Sequence, residues 1–249
     1  MSKINGTTLL VYCDGTLVAS QRNVTVSWEQ DLPDATDKDG AGWEAHINGV
    51  RRCTVDFDGL YNDTGLSAEE FITYITGRAS CVLVIDGSGV PIVGEARIRN
   101  IAVNGEKETP ATYNGAFTFD GPAWMLTGAY ANLMTDPDAS GTDYDTMTVS
   151  GIKITSAINL AGNAATYSNT IAITSGSVYK AILFLTLNSG QAPSVVIGDV
   201  GGDWTNVEQL IAGVNVVTLT ATSTATYAFI MRNTAAANWS TSNIYVFKV

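Results

Sequence analysis

Two runs of strict alternation flank a stretch that neither a helix nor a strand can absorb. No other feature constrains the fold as much. Val24, Val26 and Trp28 alternate with Thr25, Ser27 and Glu29, and Cys53, Val55 and Phe57 alternate with Arg52, Thr54 and Asp56. Successive side chains of a strand point to opposite faces, so each run predicts a strand with one buried and one polar face. Between them lies Asp31-Leu-Pro-Asp-Ala-Thr-Asp-Lys-Asp-Gly-Ala-Gly42, acidic and broken by Pro33, Gly40 and Gly42. A long loop on a two-stranded scaffold is a place where contacts are made. Its candidate contact residues are Asp31, Asp34, Asp37, Lys38, Asp39 and Gly40.

The remaining pattern is also strand-like. Charged residues make up only 15% of the 249 and hydrophobic ones 45%, which supports a core and favours β structure with many turns. Strands are expected near 7–13, 16–20, 22–30, 43–47, 50–58, 80–86, 91–103 and 108–120, with a phase change between Ile98 and Ile101 that predicts a bulge near Asn100. One helix interrupts them. Ser67-Ala-Glu-Glu70 is a capping box, Ala68, Phe71 and Ile75 share a face, and Gly77 is the expected stop.

The composition changes near residue 127. Residues 1–127 hold 9 basic and 17 acidic side chains, and the rest hold 4 and 7 and are richer in Thr, Ser, Ala and Asn. The expected organisation is a first domain over 1–127, a Gly-, Asp-Pro- and Ser-Gly-marked linker over 128–141, and a second domain over 142–249. Strands near 146–154, 165–173, 178–187, 193–198, 214–221, 226–232 and 243–248 predict a β-sandwich of immunoglobulin-like or jelly-roll type. The fold class is therefore all-β with one flanking helix.

Chemistry is sparse. His46 is the single histidine and no Gly-x-Ser-x-Gly elbow exists, so a Ser-His-Asp triad is not supported. Cys13, Cys53 and Cys81 are far apart and read as buried free thiols, with no zinc spacing. The acidic loop fails the calcium-loop pattern, since counting back from Gly40 puts Ala35 at the first ligand position. No enzyme activity, cofactor or metal is expected. Trp204, Trp239 and Tyr227 lie in the second domain, where aromatics are more commonly core residues, but the two tryptophans stand in loop-like contexts suited to stacking on a glycan. A net charge of −11 argues against tight nucleic-acid binding but suits a passage to which DNA must not adhere. No apolar run approaches the roughly 20 residues of a membrane span, and the N-terminus lacks a signal-like apolar stretch, which points to folding in a cytoplasm.

The order of motifs in the first half resembles a known family. It runs Val26-Ser-Trp28, Thr36-Asp-Lys-Asp-Gly40, Gly42-Trp-Glu44, Val55-Asp-Phe-Asp-Gly-Leu60, the capped helix, Gly94-Glu-Ala-Arg-Ile98 and Tyr113-Asn-Gly-Ala-Phe-Thr-Phe-Asp-Gly121. Over roughly 4–126 this is similar to the major tail tube protein of long-tailed phages, in the TP901-1-like tail tube group. The resemblance implies a virion protein, made in the host cytoplasm, that forms homohexameric rings stacked into a tail tube, the conduit for DNA ejection and host entry. It implies self-association, partners such as the tape measure, terminator and baseplate proteins, and DNA passing without specific binding. It assigns the inter-ring contact to the loop at Asp31–Gly42 and makes Glu95, Arg97, Asp56 and Asp58 lumen candidates. The second domain would be an external decoration facing host glycans. A two-domain carbohydrate-binding or adhesion protein is the alternative, and the tube of a contractile injection system is a third reading.

Overall fold

The computed structural model describes residues 9–18, 20–35, 46–61, 66–87, 90–127, 132–134, 140–142, 146–150, 152–160, 165–171, 173–199, 207–221 and 227–249. The first half is one eight-stranded antiparallel sheet bent into a half-barrel. Its strands are β1 (Leu10–Cys13), β2 (Thr16–Leu17), β3 (Gln21–Gln30), β4 (Arg51–Leu60), β5 (Ser80–Asp86), β6 (Ile92–Asn104), β7 (Thr112–Phe119) and β8 (Trp124–Met125). They run in the order β2-β1-β5-β6-β7-β4-β3, with β8 on β6. The expected bulge is present, as the β6–β7 register shifts between Ile98 and Asn100. Of the strand expected over 43–47, residues 43–45 lie outside the described residues, and His46 makes an isolated bridge to Asp34.

The inner face of the sheet is apolar because alternation puts Cys53, Val55 and Phe57 of β4 beside Tyr113, Phe117 and Phe119 of β7. Helix α1 (Ala68–Gly77) closes over them with Ala68 and Phe71 buried. Phe57 stands 5.6 Å from Phe71, 5.3 Å from Phe117 and 5.9 Å from Tyr113, centroid to centroid, within the range where tilted and edge-on ring pairs add to burial. Gly115 leaves room for this cluster, since a Cβ there would meet Phe57 Cζ at 2.7 Å.

The helix ends are set as the capping box predicts at one end and differently at the other. The Glu70 carboxylate accepts from the Ser67 amide at 2.5 Å and from its hydroxyl at 2.6 Å, and these bonds hold the carboxyl below its ordinary pKa. Gly77 is still helical. The left-handed C-cap is Arg78 (φ 54), whose carbonyl accepts from Arg97 Nη1 at 2.9 Å. One further contact ties the helix to the sheet. Asp14, in the β1–β2 turn at φ 52, accepts from Tyr74 Oη at 2.5 Å and from the Val82 amide at 2.7 Å. Burial pushes its carboxyl up to about 6, although both hydrogen bonds act in the lowering direction.

The second half is a two-sheet sandwich. One sheet holds β10 (Thr146–Ser150), β11 (Lys153–Asn159), β18 (Ala237–Thr241), β13 (Val178–Gly190), β16 (Gly213–Thr220) and β19 (Tyr245–Lys248). The other runs β15 (Glu208–Gln209), β14 (Ser194–Asp199), β17 (Tyr227–Asn233), β12 (Ala165–Ile171) and β9 (Ser140–Thr142). From β11 to β14 and from β16 to β18 the chain crosses between sheets at every step, a pattern that fits a double-sheet jelly roll better than an immunoglobulin order. The single strand expected at 146–154 is two, β10 and β11, paired as a hairpin. Strand β18 was not expected at all, although Ala237, Trp239 and Thr241 alternate inward in it.

The two halves share a core. Val82, Val84 and Val93 on the outer face of β5–β6 pack with Leu126, Ile182, Tyr245 and Phe247. Trp124 lies 5.5 Å from Phe247, with Lys180 Nζ 5.8 Å above its ring, a cation–π geometry. Within the stretch expected to be a linker, residues 132–134 pack on the second half. The Leu133 amide donates to Val246 O at 2.6 Å, Asn132 Oδ1 accepts from the Val246 amide at 2.9 Å, and Met134 is buried in the sandwich.

Candidate assembly surface

The hairpin β3–β4 carries the acidic loop on a stem longer than its strands. Strand pairing ends at Gln30 opposite Arg51. Beyond it the Asp31 amide donates to Val50 O at 2.9 Å, the Gly49 amide to Asp31 O at 2.8 Å and the Ile47 amide to Pro33 O at 3.1 Å. Gly49 is required by this closeness, because a Cβ there would lie 2.6 Å from Asp31 O. Arg52 sits between Asp31, at 3.1 Å, and Glu29, at 3.9 Å. These side chains are about half exposed, so the pairs shape the stem more than they stabilise it. Of the predicted contact residues, Asp31 and Asp34 belong to the stem, while Asp37, Lys38, Asp39 and Gly40 lie outside the described residues.

The stem is also apolar, which the acidic sequence concealed. Trp28 is 51% exposed, Leu32 55%, Ile47 58% and Val50 66%. Alternation predicted that Trp28 would be buried with Val24 and Val26. Those two are half-buried against the core, but Trp28 lies further along the terminal strand of the sheet and stays open. Strand β3 has β4 as its only ladder partner among the described residues, so its other edge presents backbone N–H and C=O groups.

Next to that edge is an open polar face. Register places Thr25 beside Asp56, which in turn faces Ala116. Asn23 Nδ2 donates to Asp58 Oδ1 at 2.7 Å, and Asn100 and Asn114 complete the surface. The four lumen candidates therefore separate. Asp56 and Asp58 are on this face. Glu95 instead lines a cleft at the seam with Trp124 and Lys180, and Arg97 is engaged by Asp120 at 2.7 Å and by the helix C-cap.

Of the glycan candidates, Trp239 is the one whose side chain is described. Trp239 is fully buried in the middle of the sandwich and its indole N–H donates to Asn233 Oδ1 at 2.7 Å, so no ring face is available to a sugar. Its neighbourhood looked loop-like because Asn and Ser flank it, but those residues are the partly exposed positions of an alternating strand. Tyr227 begins β17, with its side chain outside the described residues, and Trp204 lies outside them altogether. Cys13, Cys53 and Cys81 are buried free thiols, and burial pushes Cys53 up to about 11. Among the described residues no group of three or more His, Cys, Asp or Glu side chains could hold a metal ion.

Residues 7–124 match the family model described as phage tail tube protein, a structural rather than enzymatic family. No curated protein matches the chain. Among solved structures, a protein in the virion of a native gene transfer agent particle is 20% identical, with a TM-score of 0.47 over 50% of this chain and all of that one. A protein in the tail of an empty gene transfer agent particle is 18% identical, with a TM-score of 0.45 over the same shares. The SPP1 Dit protein, a phage adsorption hub, spans 97% of this chain and 99% of its own at 10% identity and a TM-score of 0.32.

Proposed function

We propose, from the premise that residues 7–124 are a phage tail tube domain, that this chain is the repeating unit of a tail tube in the virion. In this reading six copies form a ring, rings stack, and DNA passes along the lumen without binding specifically. The observation that supports it best is the conjunction at β3: a strand edge without a ladder partner among the described residues, an apolar stem and a polar face side by side. A free edge is a liability in a lone molecule and an asset in a ring, where head-to-tail pairing closes every edge.

The same reading gives the other surfaces roles. Asp56 and Asp58 face the lumen and repel the phosphate backbone. The loop at 31–42 contacts the adjoining ring, and the first and last rings meet the tape measure, terminator and baseplate proteins. Residues 1–127 form the wall and 142–249 a decoration outside it. That decoration covers β5 and β6 and leaves the polar face of β4 and β7 clear. Of the sequence candidates for glycan contact, Trp204 and Tyr227 keep that role in this reading, while Trp239 is buried inside the sandwich.

Negative-stain electron microscopy of the concentrated full chain tests the reading. Six-fold rings or hollow tubes with external knobs are expected. Closed dimers, or tubes with the knobs inside, would overturn it.

A further inference from the structure

Gln21 joins the two ends of the first sheet. Its backbone belongs to β3, opposite Gly59 of β4, at one end of the strand order. Its side chain reaches β1, near the other end. The Val11 amide donates to Gln21 Oε1 at 2.8 Å, and Gln21 Nε2 donates to Val11 O at 2.9 Å and to Val18 O at 2.8 Å. A primary carboxamide carries the same donor and acceptor as a peptide group, with one donor to spare. Here it joins the Val18 amide, which donates to Val11 O at 3.0 Å, and it alone meets the Val11 amide, just past the point where the short β2 ends at Leu17.

The backbone around Gln21 marks this as a corner. Ser20 has φ 46 and accepts from the Leu60 amide at 3.1 Å. Gly59 permits the approach, since a Cβ there would lie 2.5 Å from Ser20 O. Arg22 is the extra residue of a bulge, the register shifting between Gln21 and Asn23. Beyond the bulge β3 keeps β4 as its one ladder partner among the described residues.

We propose that Gln21 is a positioning residue for assembly: its carboxamide pins the start of β3 to β1 and so sets the angle at which the free edge from Asn23 to Gln30 meets a second copy of the chain. The inference rests on the tube reading for its consequence but not for its local geometry. A pinned edge is preorganised. An unpinned one must be ordered during association, which weakens the contact without removing any residue from it.

The test uses the full chain with Gln21→Met, which keeps the length and loses all three bonds, and Gln21→Glu, which keeps the acceptor for Val11 and loses both donors. Hydrogen exchange on dilute protein reads the pin. The β3 amides should exchange roughly 10-fold faster in Gln21→Met while β5 and α1 keep their protection, as expected for the loss of about one net hydrogen bond's free energy. The concentration threshold for rings reads the consequence and should rise in both variants. Tyr74→Phe, which loses the bond to Asp14 and leaves the three Gln21 bonds in place, controls for general destabilisation. Unchanged β3 exchange would overturn the pin. Faster exchange with a normal threshold, or a Tyr74→Phe threshold raised as much, would overturn the positioning role. If the wild-type chain never assembles, the tube reading and the positioning role fall together while the exchange data still decide the pin.

Discussion

Replacing Asp14 by Asn should stabilise the protein at neutral pH and do so less at lower pH. Asp14 titrates near 6 in the folded chain against an ordinary 3.8, and burial is the largest cause. A carboxyl whose folded pKa is raised binds more protons in the native state, so its favourable contribution belongs to low pH and is lost as pH climbs from about 4 through 6. The shift of roughly 2 units corresponds to a penalty of about 3 kcal/mol at pH 7.5 and about half that at pH 5. Asn keeps the acceptor for the Val82 amide and tolerates the left-handed turn, but it disturbs the bond from Tyr74, at a cost of about 1 kcal/mol. The net gain should be about 2 kcal/mol at pH 7.5, or several degrees in Tm, and should shrink by about 1.4 kcal/mol at pH 5. Urea unfolding of both chains at the two pH values measures this. An equal difference at both would refute the titration of Asp14 as its source.

Three further outcomes are expected. Alanine at Asp37, Lys38 and Asp39 together should impair ring stacking while the monomer's Tm stays within a degree or so, and tubes of normal length would remove the loop from the contact. Phe247→Ala, which empties the seam beside Trp124, should cost about 3–5 kcal/mol and split a single calorimetric transition into two. A unified transition at unchanged Tm would mean that the seam carries no coupling. Gly115→Ala forces a methyl toward Phe57 and Asn100 O and should cost about 1–3 kcal/mol by chemical denaturation, with an unchanged midpoint showing that the aromatic cluster yields freely.

Local rules explain where sequence reading succeeded. The alternation in 24–29 and 52–57, the bulge near Asn100 and the capping box at Ser67 each depend on neighbours a few residues away. The run Cys81-Val-Leu-Val-Ile85 is legible as a strand for the same reason. That Cys81, Leu83 and Ile85 face the aromatic core while Val82 and Val84 face the second half is not, because the covering surface includes residues as distant in the chain as Ile182, Tyr245 and Phe247. Trp28 and Trp239 show the same dependence. Trp28 alternates with buried residues but lies on a terminal strand, and Trp239 has polar neighbours but sits between β11 and β13. The same holds at the helix end, where Arg78 takes the left-handed position expected of Gly77 and its carbonyl is met by Arg97 from β6. Gln21 had no sequence signal, since a carboxamide at the start of a strand is ordinary until the sheet bends and brings Val11 to it. By itself the sequence determined most of the strand segments, where the helix starts and that a long acidic loop is held between two strands, because backbone sterics and side-chain alternation act over a few residues. Only the tertiary structure decided which faces are covered, which edge stays open and which polar groups meet, because burial depends on surfaces brought together from distant parts of the chain.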